Sequence, residues 1–222
     1  DILSLEEIER LCQNFIDLGV EKIRLTGGEP LVRSDIIKLI ERLNYKKYST
    51  NLKEITLTTN GTLLKKYAKQ LRKNGVERIN VSLDTINPEK YNKITRFGNI
   101  EKVFDGINEA LNEGIKIKIN TVVIKNFNEN EIVSLIDWAN SKKIDLTFIE
   151  VMPMEETDIS REYQFISLTD IFNNLNKKYK FKNSSHTTGG PARYYISKDL
   201  SINIGFISPL TNNFCASCNR VR

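Results

Sequence analysis

Apolar residues along the chain alternate between helical spacing and short continuous runs. The first predicted helix begins at a capping box, in which Ser4 is followed by Glu7, and ends at Gly19. Its apolar stripe comprises Ile8, Leu11, Cys12, Phe15 and Ile16. Five strands are predicted after it, at Lys22–Thr26, Glu54–Thr59, Arg78–Leu83, Ile115–Ile124 and Asp145–Val151. Strands that alternate with helices in this way favour a parallel sheet with right-handed crossovers.

The segments between these strands have helical patterns, and two of these patterns end at glycines. Helices are predicted after Ser34, from about Leu63 to Gly75, from Asn99 to Gly114, and after Asn128. The pattern changes after Pro153, to a helix over about Thr169–Tyr179 and a hairpin of Arg193–Ser197 with Ile202–Ile207.

The expected fold class is α/β. We predict an incomplete (β/α) TIM-like barrel over residues 1–153 and a small α+β C-terminal appendage over residues 154–222. An open doubly wound sheet would have the same rhythm of elements. Because the chain opens on a helix, we expect the first strand upstream of Asp1, and we interpret the chain as an internal piece of a longer product.

Composition limits the classes of function. The net charge is +5, from 33 basic and 28 acidic residues spread along the chain, which fits an anionic partner but weakens a nucleic-acid interpretation. No apolar run approaches ~18 residues, so membrane insertion is not expected. Only three cysteines occur, which is not a disulfide framework, and a reducing cytoplasm is the expected compartment.

Candidate chemistry collects at the predicted strand ends, where parallel α/β folds place their functional groups. Gly27-Gly28-Glu29-Pro30 allows a ligand to approach the backbone closely and places a carboxylate near it, which suits an α-ammonium group. In Ile115–Asn120 the polar residues, Lys118 among them, share one strand face, and Arg24 repeats that arrangement. Either these strands face solvent at a sheet edge, or the two cations line a pocket for phosphate groups.

Cys215 and Cys218 form a C-x-x-C near the end of the chain, followed by Arg220 and Arg222. A thiol–disulfide pair, half of a zinc site and part of an iron–sulfur site are all compatible with this spacing. His186 is the single histidine and is expected in a loop, so no Ser/His/Asp or Cys/His set can be assembled and no catalytic residue is assigned. Cys12 is expected in the core.

Five strings together resemble the radical S-adenosylmethionine (SAM) superfamily, and within it the molybdenum cofactor biosynthesis protein A family of GTP 3′,8-cyclases. They are Lys22–Arg33, Leu57–Gly61, Ile79–Thr85, Phe148–Pro153 and Phe214–Arg222. The resemblance implies a lyase in which SAM yields a 5′-deoxyadenosyl radical, which abstracts hydrogen from the GTP ribose before the ribose closes onto the purine. It also implies two [4Fe–4S] clusters, and a homodimer is a further expectation.

The resemblance assigns residues to sites. Gly28, Ser82 and Met152 would line the SAM site. The GTP site would comprise Arg24, Thr58, Lys118, Arg220 and Arg222. Cys215 and Cys218 would be two of the three cysteines that hold the second cluster.

Three departures from the family pattern matter. The three-cysteine motif of the first cluster is absent, as is the third cysteine of the second cluster, so we expect these 222 residues alone to be inactive. Thr147 stands where the family commonly has Arg, which puts one phosphate contact in doubt. Two alternatives remain: another radical SAM enzyme with an auxiliary cluster, acting on a peptide or small molecule, and a non-catalytic nucleotide-binding barrel.

Overall fold

The computed structural model describes residues 3–152 and 164–211. The helices over these residues are α1 (Leu5–Asp17), α2 (Ile36–Lys46), α3 (Leu64–Lys73), α4 (Pro88–Thr95), α5 (Ile100–Asn112), α6 (Ile132–Ser141) and α7 (Leu168–Tyr179). The strands are β1 (Lys22–Leu25), β2 (Glu54–Thr59), β3 (Arg78–Ser82), β4 (Lys116–Val123), β5 (Asp145–Glu150), β6 (Lys182–Asn183), β7 (Arg193–Ile196) and β8 (Ile204–Ile207).

Two helix starts follow the predicted capping chemistry. Ser4 and Glu7 form the reciprocal capping box of α1, and the Asn99 side chain accepts a hydrogen bond from Glu101 N at the start of α5. The prediction for α2 was wrong by one residue, because Asp35 and not Ser34 occupies the N-cap position, and the Asp35 carboxylate pairs with Arg33.

Helix α4 was missed by the sequence analysis. Asn87 accepts hydrogen bonds from Glu89 N and Lys90 N, and Pro88 occupies the first turn. Both features are standard helix-start signals, but the helix is short and follows β3 closely.

Two further predictions need correction. Asn128 does not cap a helix with its side chain, which instead contacts Ile124 N and the carbonyls of Asp84 and Val122. The apolar stripe of α1 is not uniformly buried: Ile16 is 3% exposed, whereas Leu11 and Phe15 are 45% and 38% exposed. Cys12, expected in the core, is half-buried.

The chain divides into two compact units. The first comprises residues 1–82 and 98–117. Its strands β1, β2 and β3 pair in parallel, in chain order, as the sequence predicted. Alternate residues of β2 and β3, such as Ile55, Leu57, Ile79 and Val81, are fully buried against helices, which leaves the polar residues on the other face.

The second unit comprises residues 83–97 and 118–222. The strand β4 pairs in parallel with β5, and β5 pairs in parallel with β8. The predicted hairpin is confirmed, because β7 pairs antiparallel with β8. The hairpin is continuous with the parallel strands, because β8 pairs in parallel with β5 and antiparallel with β7. The predicted boundary at residues 153 and 154 falls outside the described residues and stays a prediction.

Candidate functional site

The loop after β1 leaves open space at its two glycines. Gly27 has φ of +150°, where an L side chain would be strained, and a Cβ added at Gly27 or Gly28 would meet nothing within 4 Å. The backbone can therefore be approached closely by a ligand at this point. This geometry fits the predicted role of Gly28 in binding a ligand.

The Glu29 carboxylate forms several hydrogen bonds within the protein. Its carboxylate accepts hydrogen bonds from Leu31 N at 3.0 Å, from Thr59 Oγ1 at 2.7 Å and from Asn60 N at 2.7 Å. These bonds tie the loop after β1 to the end of β2. Glu29 thus holds the glycine loop in place, and its carboxylate is largely engaged by the protein itself.

The polar face of the first unit brings several predicted site residues together. In the parallel register Arg24 lies opposite Thr56, and Thr58 lies opposite Asn80. Because side chains two residues apart share a face, Arg24, Thr58 and Ser82 all project from this face of the sheet. Asn80 is fully buried, and its Oδ1 has no hydrogen-bond partner among the described residues.

One end of this polar face is an ion-pair network that the sequence analysis did not single out. The Glu54 carboxylate lies 2.5 Å from Lys22 Nζ and 2.8 Å from Arg78 Nη2. Burial opposes ionisation of Glu54, but the hydrogen bonds from the two cations outweigh it and hold the pKa below its usual range. Burial is also the main reason why the pKa of Lys22 is lowered. We call these three residues the Glu54 network.

In the second unit, Lys118 is buried. Lys118 is only 5% exposed, which excludes the interpretation that it faces solvent on an edge strand. Nζ of Lys118 lies 3.1 Å from the hydroxyl of Tyr194, and that hydroxyl lies 3.1 Å from Thr188 Oγ1. Burying an ammonium group costs free energy unless polar groups form hydrogen bonds with it. Here the hydroxyl groups of Tyr194 and Thr188 form a chain that begins at the Lys118 ammonium.

The same unit contains a cross-strand row that comprises Asn120, Thr147, Gly205 and Tyr194, one residue each from β4, β5, β8 and β7. Thr147 is fully buried. Oγ1 of Thr147 and Oδ1 of Asn120 have no hydrogen-bond partner among the described residues. Buried polar atoms are rarely left unsatisfied, so this pair marks a place where a ligand or water is expected.

Met152 follows β5 and is 51% exposed. Two residues before it, the buried Glu150 carboxylate accepts hydrogen bonds from Leu168 N, Leu210 N and both the N and Oγ1 of Thr211. The sequence did not predict that Glu150 anchors these later segments, because a glutamate at the end of a strand is expected to lie at the solvent-facing rim of the sheet. Its partners lie 18 and about 60 positions further along, and no local pattern reveals them.

Several predictions lie outside the described residues, namely Cys215, Cys218, Arg220 and Arg222. Within residues 3–152 and 164–211 no group of three His, Cys, Asp or Glu side chains could hold a metal ion. The helices in that part of the chain are all too short or too polar to cross a membrane. Arg24, Thr58 and Ser82 belong to the first unit and Lys118 and Met152 to the second, so their convergence on one cavity stays a prediction.

The sequence is similar to known families over its whole length. Residues 1–139 match the Radical SAM superfamily, and residues 144–222 match Molybdenum Cofactor Synthesis C. The GTP 3′,8-cyclase of Rhizobium etli (strain CIAT 652) is 50% identical over 100% of this chain and 64% of that protein. The enzyme of the same name from Nitrobacter winogradskyi is 50% identical, over 100% of this chain and 65% of that protein. The chain thus spans less than two thirds of the length of these relatives.

Solved structures show the same fold. Streptococcus suis SuiB has a TM-score of 0.65 and 24% identity, over 80% of this chain and 40% of that one. The anSMEcpe protein with bound AdoMet and Cp18Cys peptide has a TM-score of 0.63 and 22% identity, over 81% and 53% of the two chains. The predicted α/β class, with parallel strands of the partial-barrel type alternating with helices, is confirmed by this likeness and by the strand pairing.

Proposed function

Since this chain belongs to the radical SAM superfamily, we propose that the complete protein that carries it is a GTP 3′,8-cyclase of molybdenum cofactor biosynthesis. The observation that carries the proposal is the 50% identity to enzymes of that name over every residue of the chain, together with the match of residues 144–222 to Molybdenum Cofactor Synthesis C. Superfamily membership itself implies SAM and iron–sulfur chemistry.

The SAM site is proposed at the glycine loop after β1 and at the ends of β3 and β5. Gly28, Ser82 and Met152 would hold the cofactor, and the open space at Gly27 and Gly28 fits a ligand that contacts backbone. When SAM is bound and reduced by an iron–sulfur cluster, it supplies a 5′-deoxyadenosyl radical that abstracts hydrogen from substrate. Glu29 contributes by fixing the loop through its bonds to Thr59 and Asn60.

The GTP site is proposed at the polar strand faces. Arg24 and Lys118 supply cations in the two units, and Thr58 supplies a hydroxyl. Arg220 and Arg222, which follow the C-x-x-C, would complete the set of cations for the triphosphate. These residues bind and orient the nucleotide, whereas the bond-making chemistry belongs to the cofactor and substrate.

Cys215 and Cys218 are proposed as two of three thiolate ligands of a second [4Fe–4S] cluster. Two thiolates are too few to retain such a cluster, so a third would come from elsewhere in the complete protein. A cytoplasmic location and a homodimer belong to the same proposal.

The proposal is tested by reconstituting the complete protein with iron and sulfide and incubating it anaerobically with SAM, a reductant and GTP. A 3′,8-cyclised guanosine triphosphate is the expected product, together with 5′-deoxyadenosine. Formation of 5′-deoxyadenosine from SAM with no change in GTP would favour another radical SAM enzyme. Nucleotide binding without SAM cleavage would favour the non-catalytic barrel.

A further inference from the structure

The strongest unassigned feature is the hydroxyl chain around the buried ammonium of the second unit. Lysine Nζ can only donate hydrogen bonds, so the Tyr194 hydroxyl oxygen must accept from Lys118. The Tyr194 hydroxyl also lies 3.1 Å from Thr188 Oγ1, and either hydroxyl can donate in that hydrogen bond. The three groups form a continuous hydrogen-bonded chain from Lys118 through Tyr194 to Thr188. Hydrogen bonds in such a chain polarise and strengthen one another.

The ring of Tyr194 is fixed from several sides. Tyr194 lies directly opposite Gly205 in the antiparallel pair. A Cβ added at Gly205 would lie 2.8 Å from Cε1 of Tyr194 and 2.8 Å from Oγ1 of Thr147, closer than real Cβ atoms come. The missing side chain therefore makes room for the ring and for the Thr147 hydroxyl. The His186 ring also packs nearly perpendicular to the Tyr194 ring, with 4.7 Å between the ring centroids.

Lysine has a flexible four-carbon side chain, and holding it in one place costs conformational entropy. A hydroxyl group that is itself fixed by a hydrogen bond can hold the lysine side chain in one conformation before a ligand binds. Unlike a carboxylate, the hydroxyl adds no negative charge. The neighbouring atoms Asn120 Oδ1 and Thr147 Oγ1 are buried and lack partners among the described residues. Asn120 Oδ1 can accept a hydrogen bond from a ligand hydroxyl or N–H group, and Thr147 Oγ1 can donate to a ligand oxygen, while the anionic group of the same ligand meets Lys118.

We propose that Tyr194 is a positioning residue, whose hydroxyl, held by Thr188 over Gly205, orients the Lys118 ammonium toward a phosphate-bearing ligand at the cross-strand row. This inference rests on the proposed function, in which Lys118 contacts the anionic substrate. It deepens that function, because Tyr194 and Thr188 would set the strength of the phosphate contact without touching the phosphate themselves.

The test is calorimetric titration of the complete, reconstituted protein with GTP, inorganic triphosphate and guanosine. Tyr194→Phe keeps the ring and removes the hydroxyl, so the affinity for GTP and for triphosphate should fall roughly three- to ten-fold. The affinity for guanosine should stay the same, and a merely structural role would not produce this split. Thr188→Val should shift the same two affinities in the same direction by a smaller factor.

Tyr195→Phe is the matched control, because that ring lies among Phe172, Phe181 and Phe206 and not on the hydroxyl chain. It should leave all three affinities unchanged. If Tyr194→Phe does not fold, Thr188→Val decides the question. Unchanged triphosphate affinity in a folded variant overturns the inference. Lys118→Met distinguishes the two proposals: if it too leaves GTP affinity unchanged, the phosphate site itself is misassigned.

Discussion

The two units hold their buried cations in opposite ways. In the first, the Glu54 carboxylate bridges Lys22 and Arg78 and compensates their charge. In the second, the ammonium of Lys118 is met by a tyrosine hydroxyl that a threonine holds in turn. A carboxylate stabilises a cation by opposing its charge, whereas a hydroxyl orients it through a hydrogen bond. The comparison suggests that the Glu54 network stabilises the fold and that the hydroxyl chain prepares a binding site.

The largest effect on stability is expected when the Glu54 carboxylate, which pairs with two cations, loses its charge. Glu54→Gln leaves Lys22 and Arg78 half-buried without their carboxylate, and it should lower the free energy of unfolding by about 2–3 kcal/mol. Chemical denaturation at pH 7 measures this. The exposed pair of Glu21 and Lys53 is the control, and Glu21→Gln should cost at most about 0.5 kcal/mol.

The same network predicts a pH dependence. The pKa of Glu54 is lower in the folded than in the unfolded chain, so its contribution is fully present above the unfolded pKa of about 4.3 and is lost as the pH falls through the folded pKa. Denaturation midpoints between pH 6 and about 3 should therefore decline more steeply in the parent than in Glu54→Gln. Parallel curves would show that Glu54 is not stabilised by the two cations.

In the second unit, Lys118 is expected to contribute to GTP binding. Lys118→Met removes the ammonium but keeps an apolar stem, and the affinity of the complete protein for GTP should fall about ten-fold or more. Lys66 is exposed on α3, and Lys66→Met should leave that affinity unchanged. A larger loss in the Lys66 variant would contradict the assignment of the phosphate site.

A smaller effect is expected from crowding the hydroxyl chain. Gly205→Ala pushes a Cβ against the Tyr194 ring and Thr147 Oγ1, so it should cost about 1 kcal/mol of stability and weaken GTP binding together. Ser201→Ala, in the exposed turn before β8, serves as the comparison for thermal unfolding. Unaltered stability of the Gly205 variant would mean that the ring has room to move.

The smallest effect concerns Asp84, which accepts a hydrogen bond from Val122 N. Burial raises the pKa of this carboxyl, so the charged form costs stability, and that cost grows as the pH rises from the unfolded value of about 3.9. Asp84→Asn keeps an acceptor oxygen and removes the charge. Its free energy of unfolding at pH 7 should match the parent or exceed it by up to about 0.5 kcal/mol.

The sequence predicted the rhythm of strands and helices well because apolar spacing is a local property. It also indicated Lys118 correctly as a cation that strand alternation places on a polar face, since period two follows from strand geometry. It could not reveal Tyr194 as the partner of Lys118, because 76 positions separate them and the contact depends on the register of four strands, β4, β5, β8 and β7. Glu54 was missed for the same reason, since its partners come from two neighbouring strands.

The central claim is that Tyr194 acts through Lys118, and a double-mutant cycle on GTP affinity tests it most directly. In the complete reconstituted protein, Tyr194→Phe should weaken GTP binding roughly three- to ten-fold when Lys118 is present. In the Lys118→Met background the same change should have no effect, because there is no ammonium left to orient. An equal loss in both backgrounds would contradict the account and assign Tyr194 to a separate role.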